Sequence, residues 1–82
     1  MPIEPEDEGY ILAAIKLEEE FPEIRADITD QKKRHSFLVA VAKNDMNAAI
    51  DALGYTSRTL AKTQGKILFD KCNNKGHELG MW

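Results

Sequence analysis

The sequence predicts a small all-α domain of four helices, within a range of three to five, and three observations carry that prediction. Apolar residues recur every three or four positions through most of the chain. All three prolines lie within the first 22 residues, so nothing beyond Pro22 obliges a helix to stop. Polar and glycine punctuation at Asn44-Asp45 and around Gly54 separates the periodic stretches. Eighty-two residues, 43% apolar and 30% charged, can bury one modest core. Residues 1–82 are therefore read as a single domain without a large enclosed pocket.

Residues 1–5 read as an irregular lead-in, with acidic side chains suited to a helix N-terminus. Helix 1 is expected over 6–21, its apolar face made of Tyr10, Ala14, Leu17 and Phe21 with Ile11 and Ile15 beside them. Pro22 prevents continuation. Glu23 to Ile28 is a short connection pinned by Ile24 and Ile28, and Asp27 or Thr29 is expected to cap helix 2. Helix 2, over 30–43, turns Phe37, Leu38, Val41 and Ala42 inward; a strand through Ser36 to Ala42 is the alternative, since Val39 and Val41 are β-branched. Asp45 is placed to cap helix 3, over 45–53, and Gly54 to end it by adopting a left-handed conformation. Thr56 or Ser57 caps helix 4, over 57–71, in which Gly65 invites a kink or break. The tail, 73–82, is read as loose or folded back through Leu79, Met81 and Trp82.

Composition narrows the function classes. No apolar run reaches the ~20 residues of a membrane span, and the acidic start Met1-Pro2-Ile3-Glu4 does not resemble a secretory signal. The single cysteine, Cys72, forms no internal disulfide, so a cytoplasmic protein is expected. His35 and His77 lack cysteine or carboxylate partners at metal-ligand spacing, so no metal and no cofactor are expected. Ser57 has no evident base, its capping role explains it, and the run Glu18-Glu19-Glu20 diverges around a helix; no catalytic residues are assigned and an enzyme is the least favoured class. Charge is unevenly divided. Residues 1–30 hold ten acidic side chains against Lys16 and Arg25, a formal −8, whereas residues 31–82 hold nine basic ones against Asp45, Asp51, Asp70 and Glu78, a formal +5. Such polarity suits an anionic partner at one end and a basic partner at the other, or two solvated faces.

The most informative stretch runs from Asp45 to Gln64. Ala48-Ala49 precede Leu53-Gly54, a polar turn comes next, and Arg58-Thr59-Leu60 opens the next helix. Small residues let the first helix approach the second, the glycine makes the turn, and a leucine six residues later fills the corner. This segment resembles the helix-turn-helix DNA-binding motif of the Fis and NtrC-type bacterial regulators. The resemblance covers about 20 residues, and two positions depart from it. Ile50 stands where a small residue is usual, and Gly65 falls inside the expected recognition helix.

On a helical wheel at ~100° per residue with Arg58 as origin, Lys62 and Lys66 fall at about 40° and 80°, while Leu60, Ile67 and Leu68 fall at about 200°, 180° and 280°. The apolar side is therefore expected to dock on helices 2 and 3 and to leave Arg58, Thr59, Lys62, Thr63 and Lys66 outward. The resemblance implies that Arg58 reads bases, that Ser57 and Thr59 reach bases or phosphates, and that Lys62 and Lys66 hold phosphates of double-stranded DNA. Lys32, Lys33 and Arg34 are candidate additional phosphate contacts, or the solvated first turn of helix 2. A homodimer is expected from the few contacts one recognition helix can make, with helix 1 and the aromatic tail as candidate dimer surfaces. The expected function is transcription regulation, or an architectural role, in a bacterium or phage. The alternatives are an ordinary antiparallel helix pair, and a protein-binding module whose acidic N-terminal helix engages a basic partner.

Overall fold

The chain folds as an all-α domain in a computed structural model that describes residues 8–82. The elements are α1 (Glu8–Glu20), α2 (Ile24–Asp27), α3 (Gln31–Ala42), α4 (Met46–Leu53), α5 (Arg58–Leu60), a π-helical turn (Ala61–Gly65) and α6 (Lys66–Glu78). α5, the π turn and α6 succeed one another directly and form one long helix. The expected lead-in over residues 1–5 and the expected start of helix 1 at Glu6 lie outside the described residues.

α3 is the central helix, packed against α1, α2, α4 and α6. Phe37, Leu38 and Val41 are fully buried on it, and Ala40 joins them. Ala42, expected inward, is only half-buried. The strand alternative for Ser36 to Ala42 is overturned, because this segment is continuous helix. The cap is Asp30, which accepts from the Lys33 amide at 3.1 Å, and not Asp27 or Thr29. Asp27 instead belongs to α2 and pairs with Lys71 at 3.1 Å, tying α2 to α6. Ile24 and Ile28 pin the α2 turn to the core as their spacing suggests.

α1 buries Ala14 and Leu17, and Phe21 beyond its end. Tyr10 and Ile15, expected on the same apolar face, are exposed. Ile15 stands about 100° around the helix from Ala14, off the packed stripe. Tyr10 lies in the first turn of α1, its ring 5.7 Å from the Lys43 ammonium. A charged residue, Glu18, turns inward beside Ala14 and Leu17. Its carboxylate receives the Arg34 guanidinium, His35 Nε2 at 3.3 Å and, more loosely, Arg25 Nε at 3.5 Å. Arg34 also donates to the Ile28 carbonyl at 2.8 Å, so the buried pair is held on both sides. Among the described residues no buried side-chain nitrogen or oxygen lacks a partner.

The C-terminal part departs most from expectation. The helix does not stop near Lys71 but runs to Glu78, and at Gly65, where a kink or break is expected, it carries the π-helical turn Ala61–Gly65 without a gap. Asn73, Asn74 and Gly76 are poor helix formers, so tertiary contact must hold this stretch. Gly76 supplies it. The tail turns at Gly80 (φ +72°), the Met81 amide donates to the Gly76 carbonyl at 2.9 Å, and the Trp82 ring lies directly on Gly76. Trp82 Nε1 then donates to Asn73 Oδ1 at 3.0 Å. The tail is thus folded back, and its tryptophan occupies space that any side chain at position 76 would fill.

Candidate functional site

The α4–turn–long helix unit is built by local rules. Asp45 accepts from the Ala48 amide at 3.1 Å and opens α4. Gly54 closes it at φ +68°, a conformation costly for a residue with a β-carbon. Ser57, not Thr56, caps the next helix by accepting from the Leu60 amide at 3.3 Å. Ala49 is fully buried behind α4, and Ile50 rests on Gly65, where an added β-carbon would stand 3.0 Å from Ile50 Cγ1. The two departures from the resembling motif therefore compensate each other: the bulky residue on one helix meets the absent side chain on the other.

This contact decides which side of the long helix is packed. Gly65, Phe69, Cys72 and Gly76 are buried, with Ala61 and Leu68 half-buried. Leu60 and Ile67, expected to dock on the core, are instead exposed, at 47% and 57%. The physical reason is closeness at one point: Gly65 lets Ile50 of α4 approach, and the side of the long helix that carries Gly65, Phe69 and Cys72 is the one turned toward the protein, which leaves Leu60 and Ile67 off it.

Arg58, Thr59, Lys62, Thr63 and Lys66 are all exposed. Lys66 pairs with Asp70 at 3.0 Å, and the Thr63 hydroxyl donates to the Thr59 carbonyl at 2.7 Å. Arg58 and Lys62 have no ion-pair partner among the described residues. Ser57 is half-buried and committed to its cap. Of the flanking cations, Lys32 and Lys33 are exposed, and the Lys33 ammonium reaches the turn, 3.4 Å from the β-carbon position of Gly54. Arg34 is withdrawn from the candidate phosphate contacts, because its guanidinium is buried against Glu18.

Other chemistry is sparse. The Cys72 thiol is buried and its pKa is pushed up to about 12 by desolvation, so it is not a thiolate at neutral pH. No group of three or more His, Cys, Asp or Glu side chains converges at metal-binding spacing among the described residues. None of the described helices is long and apolar enough to cross a membrane. A shallow groove of about 320 Å³ runs between α1 and the tail, lined by Gly9, Tyr10, Ala13, Ala42, Met81 and Trp82, away from the exposed cations of the long helix. Comparison with family models, with curated proteins and with solved structures finds no match to this chain.

Proposed function

We propose that the protein binds double-stranded DNA through the long helix, as a helix-turn-helix regulator or architectural factor of a bacterium or phage, acting in the cytoplasm as a homodimer. The observation that carries this reading is the state of Arg58 and Lys62. Both are exposed and without an ion-pair partner among the described residues, on a helix whose start is fixed by the Gly54 turn and the Ser57 cap. Arg58 is assigned to base edges and the adjoining phosphate, Lys62, Lys66 and Lys33 to phosphates, and Thr59 to either.

Titration of a labelled generic duplex tests it. Four cationic contacts per chain, eight per homodimer, predict a slope of about −7.2 in log affinity against log salt for the bound dimer, and Arg58→Ala with Lys62→Ala should reduce its magnitude by about 3.6 while the circular dichroism stays unchanged. Absence of binding at low salt refutes the reading. A second reading, a protein-binding module, is favoured by one separate observation: α1 exposes Leu12 and Ile15 beside Glu8 and Glu19. A basic partner protein captured through that face, with no response to DNA, would support it.

A further inference from the structure

We propose that the exposed stripe of α1 docks a basic amphipathic helix of a partner protein; this rests on the protein-binding reading of that face and does not depend on the DNA reading. Glu8, Leu12, Ile15 and Glu19 are all exposed, Leu12 at 68% and Ile15 at 41%. At ~100° per residue with Glu8 as origin, Leu12, Ile15 and Glu19 fall at about 40°, 340° and 20°, inside one band about 60° wide. The packed residues Leu17 and Ala14 fall at about 180° and 240°, so the stripe looks away from the core and a second helix has room to lie along it. Two aliphatic side chains are bracketed by two carboxylates, and Lys16 stands at the edge, at about 80°.

Charge selects the occupant. A second copy of α1 sets Glu8 on Glu8 when parallel and Glu8 on Glu19 when antiparallel, carboxylate against carboxylate either way. An anionic duplex or an anionic bilayer meets the same repulsion. A cationic protein segment gains at both ends of the stripe and covers the aliphatics between them. Spacing then selects its conformation. Leu12 and Ile15 are ~4.5 Å apart along the axis of α1, an interval that a helix lying alongside repeats. An extended segment returns to the same side every ~6.7 Å and falls out of step. The stripe also reads the same in both directions, because its successive intervals are four, three and four residues. The matching helix therefore carries Lys or Arg at both ends of the same pattern and aliphatic residues at its two inner positions, and it fits parallel or antiparallel. A single pair of helix faces lies below the ~1,200 Å² of a stable interface, so the association is weak and salt-sensitive.

The test is titration of the isotope-labelled full chain with two synthetic peptides at low salt, followed by amide chemical shifts. The first peptide places Lys, Leu, Leu and Lys at that spacing on an alanine-rich background that can become helical on docking. The second keeps the same lysines and leucines but replaces two alanines with proline, which prevents a helix. The first should shift the amides of Glu8 to Glu19, weaken on adding salt and bind about tenfold or more tightly than the second. Leu12→Ser with Ile15→Ser should weaken it about tenfold, and Glu8→Lys with Glu19→Lys should abolish it. All four positions are exposed, and unchanged circular dichroism confirms that each variant is folded. Equal binding of the two peptides on α1 overturns the helical partner and leaves the basic-partner reading standing. Absence of shifts on α1 with either peptide at millimolar concentration overturns both. Undiminished binding by the folded Leu12→Ser, Ile15→Ser variant also overturns the proposal, since charge alone would then account for it.

Discussion

Substituting alanine for Gly65 puts two well-known effects in opposition. Gly65 has ordinary helical angles, φ −61° and ψ −44°, so nothing in its backbone requires glycine. On propensity alone, alanine inside a helix stabilises by about 1 kcal/mol. The new β-carbon, however, would stand 3.0 Å from Ile50 Cγ1 and 3.4 Å from Cγ2. Those atoms sit at the branch of a β-branched side chain on a helix, which has one favoured rotamer and cannot swing away freely. Overpacking of this kind costs about 1–3 kcal/mol, so Gly65→Ala should range from neutral to destabilising by about 2 kcal/mol. Ile50→Ala removes both γ-carbons, and in that background Gly65→Ala should stabilise by about 1 kcal/mol. Urea unfolding of the four proteins monitored at 222 nm measures the cycle, with an expected coupling of about 1–3 kcal/mol. If Gly65→Ala stabilises both backgrounds equally, Ile50 does not rest on Gly65 and the packing assigned to the π turn is wrong.

Three further predictions concern the core and the tail. Arg34→Met should cost about 3–5 kcal/mol in urea unfolding because it strands the buried Glu18 carboxylate, and adding Glu18→Gln should recover part of that loss. Burial pushes the Glu18 pKa up, but the hydrogen bonds and charges of Arg34 and His35 outweigh it and hold the carboxyl below its ordinary 4.5. The resulting stability is present above pH 4.5 and is lost as the pH falls through the lowered value, so Glu18→Gln should flatten the acid limb of a stability–pH profile. Gly76→Ala should expel the ring of the sole tryptophan, Trp82, shifting its fluorescence to the red and costing about 1–2 kcal/mol.

Local signals were readable where one residue type performs one backbone task. Asp45 as a cap, Gly54 as a left-handed terminus and Pro22 as a stop each rest on a single side chain, and the structure uses all three. Periodicity located Phe37, Leu38 and Val41 correctly because a central helix buries its bulkiest stripe. It misplaced Leu60 and Ile67 because the packed side of the long helix is set by Gly65 against α4 together with the buried Phe69 and Cys72. A hydrophobicity pattern assigns the interior to large residues, whereas the closeness of α4 is set by what Ile50 can meet at Gly65. The extent of the last helix was hidden for a related reason: Asn73 and Gly76 oppose a helix by propensity, and the residue that holds them, Trp82, lies beyond the helix end and returns through a turn. At the candidate site, residue type identified the cations of the long helix, but no sequence rule separated Arg34 from Lys32 and Lys33. Their difference depends on Glu18, sixteen positions away from Arg34.

That partnership bears on the charge asymmetry of the chain. Among the described residues, two ion pairs join its acidic and basic parts through Arg and Lys: Glu18 with Arg34 inside the core, and Asp27 with Lys71 between α2 and α6. Lys71 also lies 5.4 Å from the Phe21 ring, so this tie includes an aromatic face at the end of α1. Had the polarity served only to join the two halves, the remaining charges would be expected to cluster at the same seam. They do not: Glu8 and Glu19 remain exposed on the α1 stripe of Leu12 and Ile15, and Arg58 and Lys62 remain exposed on the long helix. Exposed charge by itself is a solvated surface, whereas aliphatic side chains left exposed beside it, as Leu12 and Ile15 are on α1, gain when something covers them. An acidic stripe with exposed aliphatics on α1 and exposed, unpaired cations on the long helix are what the proposed binding of an anionic duplex, or of a basic partner protein, would use.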